Sequence, residues 1–241
     1  MATLRHFRIL RALVGGKVKL SSRVDRIRTH LPPSVRLIAV TKKVPVATIR
    51  QAYGMGLREF GESRVQEAIP KQEELQDLPD ITWHFIGHLQ TNKAKVVAER
   101  FDWIHGVDRL KLAKELDKLA KKGTPSPKVC LQVKVFPDPD KYGWSVEQLW
   151  EDLPAIDALE NLQVRGLMAI APWGLSESEV KELFDRVKEL GDRIREHQFD
   201  RIRIEQLSMG MSGDYLQAIE AGATMVRLGR ILFGDRPPLQ D

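Results

Sequence analysis

Two adjacent lysines, Lys42 and Lys43, close an apolar run that begins at Val35. Five of the six residues from Val35 to Val40 are apolar, which suits a strand covered on both faces. Side chains alternate along a strand, so Ile38, Val40 and Lys42 share one face and Leu37, Ala39 and Thr41 the other. An ammonium held against apolar walls loses hydration, its pKa falls, and its amine becomes able to capture a carbonyl as an imine. A lysine at a strand end is more often simply solvated, so other features must support the chemistry. Ser208-Met209-Gly210-Met211-Ser212-Gly213-Asp214 reads as a hydroxyl- and glycine-rich turn whose N–H groups and hydroxyls could hold an anion. Gly229 and Arg230 follow a last apolar run, in which Met225, Arg227 and Gly229 share a face. Inside a core Arg227 needs an acceptor, either a carboxylate such as Glu205 or a heterocyclic ring nitrogen.

These residues need a scaffold that brings distant strand ends together. Apolar runs at 35–41, 57–60, 81–86, 103–105, 129–135, 164–170, 203–207 and 223–228 read as strands. Helical patterns at 45–54, 62–75, 91–99, 108–121, 145–157, 176–196 and 212–221 separate them, with Asp108 and Ser176 as caps. An extra helix, capped by Ser21 or Ser22, precedes them and stops at Pro32-Pro33. Eight strands alternating with helices predict a single α/β domain, a closed (β/α)8 TIM-like barrel, with an open doubly wound sheet as the alternative. No glycine fingerprint follows the first strand, which removes support for a dinucleotide-binding fold. In a barrel, function collects at the C-terminal strand ends. Those ends carry Lys42, Gly61-Glu62-Ser63, Gly87-His88, Met168, Ser208 to Asp214, and Arg227 to Arg230.

Charge narrows the partners. The chain of 241 residues is 42% hydrophobic and 29% charged, with a formal charge of +5. Arg5, Arg8, Arg11, Lys17 and Lys19 lie in an acid-free start, and without them the 38 Lys and Arg fall to 33, equal to the 33 Asp and Glu. The body is formally neutral, so a nucleic-acid face is not expected. Residues 1–20 are expected to be a disordered basic extension, and 21–241 the barrel. No apolar run approaches a membrane span. The single cysteine, Cys130, reads as a buried thiol.

A phosphorylated ring cofactor bearing an aldehyde, pyridoxal 5′-phosphate (PLP), would join the lysine, the anion turns and Arg227. The segments LIAVTKKVP, REFGESRVQEA, WHFIGHLQTNKAK, GLMAIAP and LSMGMSGDYLQAIEAGATMVRLGRILFG resemble the PLP homeostasis protein family. The resemblance implies a cytoplasmic barrel of the alanine-racemase fold type that holds PLP with little or no turnover. It implies an imine at Lys42, phosphate contacts from Ser208, Ser212, Gly229 and Arg230, and Arg227 facing the pyridine nitrogen. Met168 would face the ring, and Ser63 stands where the family usually has an asparagine near the ring hydroxyl. PLP-requiring apo-enzymes are the implied partners and a monomer the implied state. An arginine opposite the ring nitrogen disfavours ring protonation and weakens the electron sink, which favours a carrier over a racemase. A racemase-like enzyme, or a barrel binding a phosphorylated metabolite without an imine, are the alternative readings.

Overall fold

The computed structural model describes residues 18–138 and 141–234, so nearly all of the basic extension lies outside the described residues. Helix α1 (Leu20–His30) leads into β1 (Arg36–Val40), α2 (Val46–Gly54), β2 (Glu59–Glu62), α3 (Val65–Glu74) and β3 (Thr82–Phe85). A 3-10 turn at Thr91–Lys93 runs into α4 (Ala94–Arg100), followed by β4 (Trp103–Val107), α5 (Leu110–Lys121) and β5 (Lys128–Lys134). A two-residue strand, β6 (Trp144–Ser145), pairs in parallel with the end of β5. Then come α6 (Val146–Asp157), β7 (Gln163–Met168), α7 (Glu177–Glu196), β8 (Gln206–Met211), α8 (Tyr215–Glu220), β9 (Met225–Leu228) and α9 (Arg230–Phe233).

Eight strands pair in parallel in the order β4-β3-β2-β1-β9-β8-β7-β5, and β4 pairing with β5 closes the barrel. Closure rules out the open sheet. It also separates two apolar layers. Ile38, Trp103, Cys130, Met168 and Met225 fill the barrel itself, whereas Ala39, Phe60, Ile104, Leu131, Leu167 and Leu207 belong to the layer beneath the helices. Ile38 inside and Ala39 outside settle which face of β1 lines the barrel, and Lys42 continues the parity of Ile38. Burial in the barrel pushes the Cys130 thiol up to about 12.

Several boundaries differ from the sequence reading. The expected strands at 57–60 and 203–207 form at Glu59–Glu62 and Gln206–Met211. Leu57, Ile202 and Ile204 are buried ahead of the paired segments. Apolar periodicity reports burial, and here burial begins before the ladder does. Ser21 and Ser22 lie inside α1, whose cap position is Lys19, and Asp108 does not cap α5, whose cap position is Arg109. Ser145 and Ser176 do cap, each in a reciprocal capping box with Gln148 and Glu179.

Candidate functional site

The wall beneath Lys42 is built from α3 and β2. Thr41 Oγ1 donates to Glu62 Oε1 at 2.7 Å, and Lys71 Nζ donates to the Thr41 carbonyl at 2.7 Å. Lys71 also meets Glu62 Oε1 at 2.8 Å and Glu67 Oε1 at 2.6 Å. Glu67 in turn accepts the backbone N–H of Lys43, whose φ is 59°. Both neighbours of Lys42 are therefore tied to one buried carboxylate–ammonium cluster. Glu62 is fully buried, and burial raises its pKa above the ordinary carboxylate value despite Lys71 and Thr41. Lys42 itself is half-buried and Lys43 exposed.

The floor is Arg227, which pairs in register with Ile38 on the adjacent strand. It is 4% exposed, and its donors reach Ser208 O at 2.6 Å, Ser208 Oγ at 2.7 Å and Ala169 O at 2.9 Å. All three acceptors are neutral oxygens, and Glu205 is exposed, so the core ion pair considered from sequence does not form. Burial lowers the guanidinium to about 10. Met168, at the end of β7, is buried in the same inner cluster as Ile38.

The anion turn is shorter than the sequence suggests. Strand β8 runs through Gly210, whose φ of +91° is suited to glycine; a Cβ there would lie 2.6 Å from Ala218 Cβ. Ser208 therefore lies within the barrel, where its hydroxyl serves Arg227 and His105, and not on the turn with Ser212. Ser212 Oγ accepts from Gly229 N at 3.3 Å and Ile231 N at 3.4 Å, which joins the ends of β8 and β9. Asp214 Oδ1 accepts the Met211 N–H and braces the turn. Arg230 is exposed beside it. On the opposite side Ser63 is half-buried, and its carbonyl would lie 2.2 Å from any Cβ at Gly87.

Matches to known proteins follow this geometry. Residues 18–237 match the family described as alanine racemase, N-terminal domain. The pyridoxal phosphate homeostasis protein of Synechocystis sp. PCC 6803 is 52% identical over 212 residues, covering 88% of this chain and 96% of that protein. The chain belongs to the pyridoxal phosphate homeostasis protein family. The Escherichia coli K12 member is 39% identical over 208 residues, covering 85% of this chain and 87% of its own. PipY of Synechococcus elongatus PCC7942, solved with PLP bound, superimposes with a TM-score of 0.85 at 49% identity, covering 90% of this chain and 100% of PipY. Alanine racemase of Clostridium difficile 630 shares the fold, with a TM-score of 0.73 at 15% identity over 92% of this chain and 58% of its own.

Within this family frame, the barrel brings together residues that the sequence reading did not group, with His84 and His88 read there as packing or capping side chains. Glu59, His84 and His105 line the interior on β2, β3 and β4. The alternation rule that selected Lys42 would have grouped His84 with Ile86 and His105 with Trp103. His88 bonds Asp108 through Nδ1 at 2.9 Å and stacks on Tyr142 with centroids 3.6 Å apart. Tyr142 reaches it from the loop after β5, a contact no local pattern announces. Among the described residues the exposed large apolar side chains are Tyr142, Trp173 and Met211. All three lie on the C-terminal side of the barrel strands, beyond β5, beyond β7 and at the end of β8. No helix of the described residues is long and apolar enough to cross a membrane.

Proposed function

We propose that this chain is a cytoplasmic, monomeric PLP-holding protein that serves vitamin B6 and amino-acid homeostasis and yields PLP to apo-enzymes with little or no turnover. One observation carries the reading: Lys42 follows the end of β1 by two residues, and the inner-face Ile38 of that strand lies in register with Arg227 on β9, whose far end Ser212 joins to β8 through a hydroxyl and two backbone N–H groups. The residues suit the cofactor chemically. When bound, PLP supplies an aldehyde for an amine and a ring that can accept electron density. Lys42 would be the covalent anchor, held between the pinned Thr41 and Lys43. Ser212, Gly229 and Arg230 offer a hydroxyl, an N–H and a cation to the phosphate. Met168 would face the ring, Ser63 would offer its hydroxyl near the ring oxygen, and Arg227 would present a cation to the ring nitrogen. A cation there opposes ring protonation, so deprotonation at an amino-acid Cα gains little.

Borohydride treatment of the yellow protein followed by peptide mapping tests the anchor. The cofactor-derived mass is expected on Lys42, and finding it on Lys43 would overturn the strand-face argument. The His88–Asp108 pair beside Tyr142 favours one competing reading, a racemase-like enzyme with a base at the mouth. Incubation with L-amino acids in deuterated water separates the two. Rapid Cα exchange that disappears in Lys42→Ala would establish an enzyme, and negligible exchange with PLP transfer to an apo-enzyme a carrier.

A further inference from the structure

A line of polar side chains crosses the apolar interior of the barrel. Arg227 Nη1 meets Ser208 Oγ at 2.7 Å, and Ser208 Oγ meets His105 Nδ1 at 2.7 Å. His105 Nε2 lies 2.9 Å from His84 Nδ1, and His84 Nε2 lies 2.5 Å from Glu59 Oε2. Ser208, His84 and His105 are fully buried, and Arg227 nearly so. Glu59 is the partly exposed member, 24% accessible, with Arg36 3.9 Å from its other oxygen. The line joins the floor of the cofactor site to the N-terminal half of the barrel.

Donor and acceptor rules give the line a direction. Arginine only donates, so Ser208 Oγ accepts from Arg227 and its proton is free for His105 Nδ1. His105 then carries its proton on Nε2 and donates to His84 Nδ1. His84 likewise carries its proton on Nε2 and donates to Glu59. Every polar atom in the sequence is satisfied with both histidines neutral. Reversal would require either an imidazolium in a dry interior already holding Arg227, with Arg36 at one end, or a protonated Glu59, whose pKa is held below the ordinary carboxylate value by His84 and Arg36 in spite of burial. Burial lowers the pKa of His84, and burial together with His84 and Arg227 lowers that of His105 further. The other charged or titratable groups bearing on the line are Arg36, Asp102 and Lys128 near Glu59 and His84, and Cys130 and Asp214 near Arg227.

We propose that Glu59, His84, His105 and Ser208 are positioning residues: a directed hydrogen-bond relay that holds the Arg227 guanidinium toward the bound cofactor without a carboxylate touching it. A carboxylate in direct contact would occupy the N–H donors and offset the field at the ring nitrogen. The relay places its counter-charge four hydrogen bonds away, which secures the orientation and leaves the field. The cofactor end of this inference rests on the PLP reading above; the relay itself does not.

Nitrogen-15 NMR of histidine-labelled protein without PLP tests the relay in the unaltered chain. His84 and His105 are expected to be neutral Nε2–H tautomers at neutral pH, and an Nδ1–H tautomer or imidazolium at either would overturn the direction. The coupling is tested by the visible absorption band of the PLP-loaded protein. Ser208→Ala is expected to shift the band and its pH profile, and Ser208→Thr to restore both. Unchanged spectra in a folded, loaded Ser208→Ala protein would overturn the coupling. A wild-type protein without any PLP band would sink the cofactor reading and the coupling together, while the tautomers would still decide the relay.

Discussion

Two buried cations flank the proposed cofactor site, and the fold treats them in opposite ways. Lys71, between helix and sheet, touches two carboxylates, Glu62 and Glu67. Arg227, inside the barrel, touches only neutral oxygens of Ser208 and Ala169. Direct pairing cancels the charge locally and makes Lys71 a clamp that shapes the backbone on either side of Lys42. Withholding a carboxylate costs solvation, visible in the lowered pKa of about 10, but leaves Arg227 a field that a ligand can feel. The contrast separates a charge used for architecture from one kept for chemistry.

The largest effect should come from breaking the clamp. Lys71→Met strands the fully buried Glu62 carboxylate and is expected to cost about 3–5 kcal/mol in urea unfolding at neutral pH. The sign of the pH dependence follows from burial, which raises the folded Glu62 pKa above its unfolded value. The folded state then binds that proton more tightly, so this group's contribution is fully present below the unfolded pKa. It is lost as pH rises through the folded one. The variant's stability deficit should therefore grow from acid toward neutral pH, and adding Glu62→Gln should flatten that slope. A pH-independent deficit would mean that the cluster is not electrostatic.

A smaller loss is expected from Arg227→Met, which takes the guanidinium donor from the Ala169 carbonyl and the Ser208 hydroxyl while the Ser208 carbonyl keeps the Ala169 N–H, a cost of about 1–3 kcal/mol. Its spectral consequence should exceed its thermodynamic one, because the cation opposite the ring nitrogen is gone. Unfolding and absorption measured on the same loaded variant check this. A spectrum identical to wild type would make Arg227 a second architectural charge and remove the contrast.

The smallest effect concerns the turn. Ser212→Ala removes the hydroxyl that accepts from Gly229 and Ile231 and should weaken PLP retention by about 0.5–1.5 kcal/mol, roughly twofold to tenfold. Equilibrium dialysis against a PLP acceptor would measure it. Unaltered retention would move the phosphate contact elsewhere.

The primary structure by itself determined the repeat of strand and helix and the segments that mark the family, and it left a closed barrel and an open sheet as alternatives that the pairing of β4 with β5 decided. These are local properties, carried by apolar periodicity and by residue types at strand ends. Which charges share a contact was decided only by the tertiary structure. Thr41 meets Glu62 and Lys71 across 21 and 30 residues, and His105 meets Ser208 across 103. Barrel closure converts alternation on separate strands into neighbours in one interior, and no single strand carries that register. Ser208 shows the boundary between the two kinds of knowledge. Its composition-rich segment reads as a turn, yet parallel pairing with β7 and β9 extends the strand to Met211 and commits the Ser208 hydroxyl to Arg227 and His105.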